Sequence, residues 1–186
     1  GLRSLIELNA PNRKLTISDI VFIIAPRINA AGRMDDAKEA VRLLISQEGV
    51  KAKINANMLQ EQNTARKKID TDITEEAINL LESTPNAHDK RTTVLYQSHW
   101  HKGVIGIVAS RLLEKYYRPT IIMTSSNGMV AGSARSVRGF DVYNAIKACS
   151  DLLEQFGGHK YAAGLTMKEE NVVAFTEKFE QIVSDT

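Results

Sequence analysis

GGHKYAAG, residues 157–164, sets two glycines before a histidine, then Lys-Tyr, two alanines and a third glycine. Two readings fit. In the first, Gly157 ends a helix at the position where glycine's positive φ is favoured, Gly158 makes a turn, and Ala162–Gly164 opens a tightly packed strand. In the second, the glycines let backbone N–H groups approach an anion closely, with the His159 imidazole donating beside them. Packing is the better account of Gly157 alone. It leaves Gly158 and His159 unexplained, and those two residues keep a phosphate-contacting turn in play.

Around this stretch, residues 86–186 read as a compact α/β unit. TTVLY (92–96), PTIIMT (119–124), GMVAGSARS (128–136) and AAGLTM (162–167) have strand composition. GVIGIVASRLLEKYY (103–117) reads as a helix, apolar at its start and charged near its end. Phe140 and Asp141 precede a helix with Tyr143, Ile146, Cys149 and Leu153 on one face. A last amphipathic helix carries Val172, Phe175, Phe179 and Ile182. Residues 47–85 read as one long connecting helix, with Val50, Ile54 and Met58, then Ile69, Ile73 and Leu80, at helical spacing. Its middle, QEQNTARKK, is polar all round, as in a helix crossing between two bodies. It ends near Pro85 in the loop STPNAHDK. Residues 1–46 read as helix, turn, helix. Thr16 and Asp19 have capping-box spacing before an apolar run that Pro26 ends. RINAAGRM (27–34) then forms a loop. Asp35 or Asp36 caps a helix with Ala37, Ala40, Val41 and Leu44 on its apolar face.

The bulk numbers narrow the function classes. A 43% hydrophobic and 25% charged chain of 186 residues is a globular protein. No apolar run approaches the ~20 residues of a membrane span. The start GLRSLIELN has no signal-peptide pattern and no initiator methionine, which predicts a piece of a longer chain. One cysteine, Cys149, excludes an internal disulfide and predicts a reducing, cytoplasmic setting. A net charge of +2 does not announce a nucleic-acid binder, so any such case rests on local clusters.

Three such clusters stand out. In GSARS (132–136), Ser133 and Arg135 are two apart, so on a strand they share a face. A hydroxyl beside a planar guanidinium suits phosphate oxygens, and Arg138-Gly139 extends the feature. The alternative is a solvated edge. In RINAAGRM, Arg33 sits just before a helix N-terminus, the end that favours anions. Arg27 and Asn29 add polar reach, against the alternative of an ordinary helix-to-helix turn. In SHWHKGVIG (98–106), His99 and His101 lack further ligands for a metal. Trp100 is core or a stacking platform for a base, and Gly103 and Gly106 imply close packing or close approach of a ligand.

Taken together and in this order, GGHKYAAG, WHKGVIGIVASRL, GSARS and RINAAGRM resemble the RecJ-type exonucleases of the Asp-His-His (DHH) phosphoesterase superfamily. The resemblance implies an α/β fold: a small mixed-sheet domain of the DHH-associated type, preceded by a long connecting helix and a helical remnant of the DHH catalytic domain. It implies 1–46 as the end of that catalytic domain, 47–85 as the connecting helix, and 86–186 as the DHH-associated nucleic-acid-binding domain. It implies 5′-to-3′ hydrolysis of single-stranded DNA in repair and recombination, with manganese or magnesium held by an N-terminal domain. None of His88, His99, His101 and His159 belongs to an Asp-His-His motif, so this chain is expected to hold no metal and to be inactive alone. The resemblance assigns Arg33, Ser133 and Arg135, with Gly157, Gly158 and His159, to substrate phosphates. His159 falls near the scissile bond as the catalytic candidate. Arg27, Asn29, Trp100, His101 and Arg138 are further nucleic-acid contacts. Single-stranded DNA and DNA-repair proteins are the partners implied, with no membrane. Two alternatives stay open: a non-catalytic nucleic-acid-binding module like the tRNA-contacting appendage of alanyl-tRNA synthetases, and a relative that degrades short RNAs or cyclic dinucleotides.

Overall fold

The computed structural model describes residues 1–9, 14–87 and 89–186; His88, in the loop expected over 83–90, lies outside the described residues. The chain divides into two compact units, Gly1–Ile69 and Asp70–Thr186.

The first unit is helical. Helix α1 is Leu2–Asn9. The capping box forms: the Thr16 N–H donates to the Asp19 carboxylate at 2.9 Å, and the Asp19 N–H to the Thr16 hydroxyl at 3.3 Å. It starts a short helix α2, Ile17–Asp19, that runs into a π-helical turn over Ile20–Ile24. Pro26 does not end this run. It lies in the first turn of α3, Ala25–Met34, where its missing N–H costs little. RINAAGRM is therefore helix rather than loop, with Ala30 and Ala31 buried. Asp36 accepts from the Lys38 N–H at 2.9 Å where α4, Lys38–Ile45, begins. The face of α4 differs from expectation: Ala40 and Leu43 are buried while Val41 is 54% exposed.

Helix α5, Gly49–Ser83, spans the boundary between the units. Its buried stripe is Ala52, Ala56, Leu59, Asn63, Asp70, Ile73, Ala77 and Leu81, whereas Val50 is 74% exposed and Ile54 and Met58 are also open. The stripe of large side chains anticipated at 50, 54 and 58 is thus displaced by alanines, which allow closer packing. The polar middle is not polar all round by burial. Asn63 accepts from Arg66 at 3.2 Å, and the fully buried Asp70 pairs with Arg111 at 2.8 Å, so the stripe continues through polar residues with partners.

The second unit is a five-stranded mixed sheet in the order β1-β2-β3-β5-β4. Its strands are β1 Thr93–Tyr96, β2 Thr120–Ser126, β3 Met129–Arg135, β4 Gln155–His159 and β5 Ala162–Met167. Strands β1 and β2 run parallel, joined through α6, Ile105–Tyr116; the other pairs are antiparallel. Asn127 and Gly128, both at positive φ, make the tight β2–β3 hairpin. Asp141 caps α7, Val142–Lys147, by accepting from the Asn144 N–H at 3.0 Å. This helix is shorter than expected and gives way to a 3₁₀ turn, Ser150–Leu152. Helix α8 is Val172–Ser184. Alternation assigns the faces. Ile121, Met123, Val130, Ala134, Ala163, Leu165 and Met167 turn to one side. There they meet Val142, Ile146 and Cys149, and Phe175 and Phe179 of α8. Helix α6 packs on the opposite side, over β2 and β3.

The strand Gln155–His159 corrects the reading of the first glycine. Gly157 ends no helix. It pairs with Gly164 inside β4, and a Cβ built on it would meet nothing within 4 Å. Gly158 is the constrained one: at φ +147°, its Cβ would lie 2.3 Å from the Ala162 carbonyl oxygen and 2.5 Å from the Ala163 Cα. Packing explains Gly158, and Gly157 is the residue it does not explain.

Gly158→Ala is therefore expected to cost about 2 kcal/mol or more in urea denaturation, while Gly157→Ala leaves the midpoint within error. Cys149 gives a second test. Burial pushes its thiol up to about 11. At pH 8 the thiolate fraction is then about one in a thousand, so a maleimide should label Cys149 only after denaturant unfolds the chain. Rapid labelling of the native protein would contradict the buried position.

Candidate functional site

The sheet face opposite the Phe175–Phe179 core is covered by α6 over β2 and β3 only. On that face β3 carries Ala131, Ser133 and Arg135 under or beside α6, and beyond the helix β5 carries Ala162 and Gly164 and β4 carries Gly157 and His159. The pairings Ser133↔Gly164↔Gly157 and Arg135↔Ala162↔His159 place them in two adjacent rows. Directly opposed residues share a face. Gly157, His159 and Gly164 are exposed. The nearest atom to a Cβ at Gly164 would be the Gly132 carbonyl oxygen, 3.9 Å away. The result is a shelf of small residues, open above, with a guanidinium along one side and an imidazole along the other. Two strand spacings, about 10 Å, separate those sides.

Each side is built. Arg135 folds back along its strand. Its Nη1 donates to Ser133 Oγ at 3.1 Å and to the Ala134 carbonyl at 2.7 Å. With a lone pair taken by Arg135, the Ser133 hydroxyl is oriented to donate elsewhere. The first turn of α6 lies directly on this pair: a Cβ at Gly106 would sit 3.0 Å from both Arg135 Nη2 and Ser133 Oγ. No side chain caps α6, whose N-terminal end carries partial positive charge. Guanidinium, hydroxyl and helix N-terminus therefore converge on one region, an arrangement suited to anionic oxygens. On the other side, His159 Nδ1 accepts from the Tyr161 N–H at 3.3 Å. This leaves Nε2 to carry the proton of the neutral ring and to donate outward. The hairpin that bears it is pinned by Val142 N–H to the Lys160 carbonyl at 3.1 Å and Ser136 N–H to the Tyr161 carbonyl at 3.0 Å.

The remaining candidates fall elsewhere. Arg138 is exposed on the turn before Gly139, which takes φ +96°. His101, half-buried, accepts from the Gly103 N–H on Nδ1 at 3.1 Å just before α6. Trp100 is not a stacking platform. It is 3% exposed and its indole N–H donates to Glu76 at 2.9 Å, so no ring face is open to a base. Arg27, Asn29 and Arg33 lie on α3 in the first unit. Arg27 donates to Gln60 at 2.5 Å and to the Ile23 carbonyl, and burial pushes its pKa down. Arg33 stands in the last turn of α3, not before a helix start. A C-terminal turn is the negative end of a helix, so this helix end does not favour an anion beside Arg33. Among the described residues no three His, Cys, Asp or Glu side chains gather to hold a metal ion. The described residues do not fit a metal centre, and no hydrolytic step is assigned to them. Two site features escaped sequence reasoning: the seat of α6 on Ser133 and Arg135, and the openness of Gly164. The glycine of GVIG hinted at the first.

The DHHA1 domain family matches residues 89–185. Over 100% of its length the chain is 37% identical to the single-stranded-DNA-specific exonuclease RecJ of Bacillus subtilis, covering 24% of that protein. It superposes on RecJ of Thermus thermophilus crystallised with Mg2+ with a TM-score of 0.87 at 32% identity, over 99% of this chain and 28% of that one. A crystal of the same protein with Mn2+ also gives 0.87 at 32% identity, over 99% of this chain and 27% of that one. The chain thus spans about a quarter of the length of these relatives. The match extends over residues 1–46 as well as the sheet, which sets aside the tRNA-synthetase and short-RNA alternatives. The chain belongs to the DHHA1 domain family, matched over the sheet unit from residue 89 to 185, in the form found in RecJ exonucleases.

Proposed function

We propose that this chain is the strand-gripping part of a single-stranded-DNA-specific exonuclease of the RecJ type, acting 5′ to 3′ in DNA repair and recombination. The observation that carries the reading is the open shelf of Gly157, Gly164 and Ala162 between Arg135–Ser133 and His159. Glycines with open space above them do nothing for the core; they let a bulky chain lie close to the sheet. Ser133 and Arg135 hold the terminal 5′-phosphate beside the first turn of α6. His159 donates from Nε2 to a backbone phosphate near the scissile bond. Gly158 keeps the His159 hairpin in shape rather than touching the strand. These contacts position the strand without reading its sequence. A net charge of +2 suffices, because the cations are aimed rather than numerous. Magnesium or manganese, the ions in the Thermus thermophilus crystals, would be held by residues outside this chain. Exposed apolar side chains of the first unit, with Phe22 76% and Ile45 71% open, suit a unit that packs against more protein. The reading carries with it a cytoplasmic setting and DNA-repair proteins as partners. No helix among the described residues is long and apolar enough to cross a membrane.

Two outcomes follow from the shelf. Arg135→Ala should flatten the dependence of log affinity on log salt by about 0.7 for an oligothymidylate, one phosphate contact's worth. It should also erase the preference for a 5′-phosphate over a 5′-hydroxyl end in fluorescence anisotropy. Equal losses on both ends would remove Arg135 from the terminal phosphate. Gly164→Val should keep the thermal midpoint, since valine suits a strand and its side chain would enter open space, yet weaken oligonucleotide binding at least about tenfold by filling the shelf. Unchanged binding would place the strand elsewhere.

A further inference from the structure

One carboxylate oxygen of the long helix holds the segment that leads into α6. Glu76 Oε2 accepts from the buried Trp100 indole N–H at 2.9 Å and lies 3.1 Å from His99 Nε2. From the sheet side, the buried Thr124 hydroxyl donates to the Trp100 carbonyl at 2.6 Å. The next residue, His101, organises the helix start. Its carbonyl accepts from the Val104 N–H at 2.9 Å and the Ile105 N–H at 3.2 Å, and its Nδ1 accepts from Gly103. Gly106, one residue further on, lies so close to Ser133 and Arg135 that a Cβ on it would sit 3.0 Å from both. Hydrogen bonds thus lead from Glu76 to the start of α6, whose first turn lies close to Ser133 and Arg135, all inside the second unit.

We propose that Glu76 is a positioning residue for the anion site, acting through Trp100 to fix where the first turn of α6 meets Ser133 and Arg135. This rests on the phosphate reading of that pair. Three features favour it over a plain packing contact. The indole N–H is buried and needs an acceptor, so the geometry of the segment is tied to one side chain. The contact joins elements 24 residues apart rather than neighbours in one loop. The carboxylate is also ionised in its working state. Partial burial pushes its pKa up, but the hydrogen bonds from Trp100 and His99, with the His99 charge, outweigh that, and the net direction is downward. A charge-assisted hydrogen bond holds its geometry more tightly than a neutral one.

The test uses the 186-residue chain and a 5′-phosphorylated oligothymidylate as probe, read by anisotropy well below the thermal midpoint, with amide hydrogen exchange at Gly103, Val104 and Ile105 in parallel. Glu76→Ala is expected to weaken binding about tenfold and to speed exchange at those amides. Glu76→Gln, which retains an acceptor for the indole, should restore binding to within about twofold. Trp100→Phe removes the donor and keeps a smaller aromatic ring, and should reproduce the Glu76→Ala loss. The double variant should be no weaker than either single one. If Glu76→Ala fails to fold, Trp100→Phe alone decides. A lowered thermal midpoint with unchanged affinity in Trp100→Phe or Glu76→Ala overturns the proposal and leaves a packing role. Arg135→Ala separates the two readings. If it weakens binding and the Glu76 and Trp100 variants do not, only the positioning role falls. If Arg135→Ala binds as before, the phosphate reading falls and takes this one with it.

Discussion

The two-residue period of a pleated strand is the constraint on which the rest of the structure depends. Because successive side chains point to opposite faces, one sheet can be greasy on one side and bare on the other. Strand β3 shows both duties in one segment: Val130 and Ala134 join the core, while Ser133 and Arg135 face away from it. Strand β5 repeats the pattern, with Ala163, Leu165 and Met167 inward and Ala162 and Gly164 outward. A shift of one residue in register would bury the arginine and expose leucine and methionine, so the packing that stabilises the sheet also holds the site in place.

A functional surface made of glycine and alanine needs support from elsewhere, because such strands have little side-chain packing of their own. The support comes from the reverse face, where α7 packs on β4 and β5 and the core is completed by Phe175 and Phe179, stacked with ring centroids 5.9 Å apart. It also comes from the strand pairing. The Gly157–Gly164 pair lies inside a continuous β4–β5 ladder whose tip is tied to β3 and α7 by backbone hydrogen bonds. The outward face of β4 and β5 is therefore released from packing duty.

The placement of α6 is the other part of the arrangement. Its first turn comes close to Ser133 and Arg135 where residue 106 has no side chain, and the segment before it is anchored to Glu76 and Thr124. Sequence-distant elements therefore meet at one anion-suited corner: the C-terminal half of α5 through Glu76, the end of β2 through Thr124, and β3 directly. This explains why the WHKGVIG block and the GSARS block, well separated along the chain, belong to a single chemical unit.

Much of this was legible in residue order. Four of the five strands, the helix after WHKG, the capping box at Thr16 and the same-face pairing of Ser133 with Arg135 follow from alternation, capping chemistry and turn residues, all of which are local. What local rules missed was decided by partners distant in sequence. Gln155–His159 has no strand-like alternation, and only the ladder to β5 makes it a strand. Pro26 and the small residues of RINAAGRM look like a loop until the buried Ala30 and Ala31 show what the helix packs. The roles of Gly157 and Gly158 were exchanged, because a glycine's reason lies in the space its Cβ would occupy. Residue order by itself determined which side chains carry the chemistry; the tertiary structure decided which of them face open space together, since strand register and helix seating depend on contacts no short window contains.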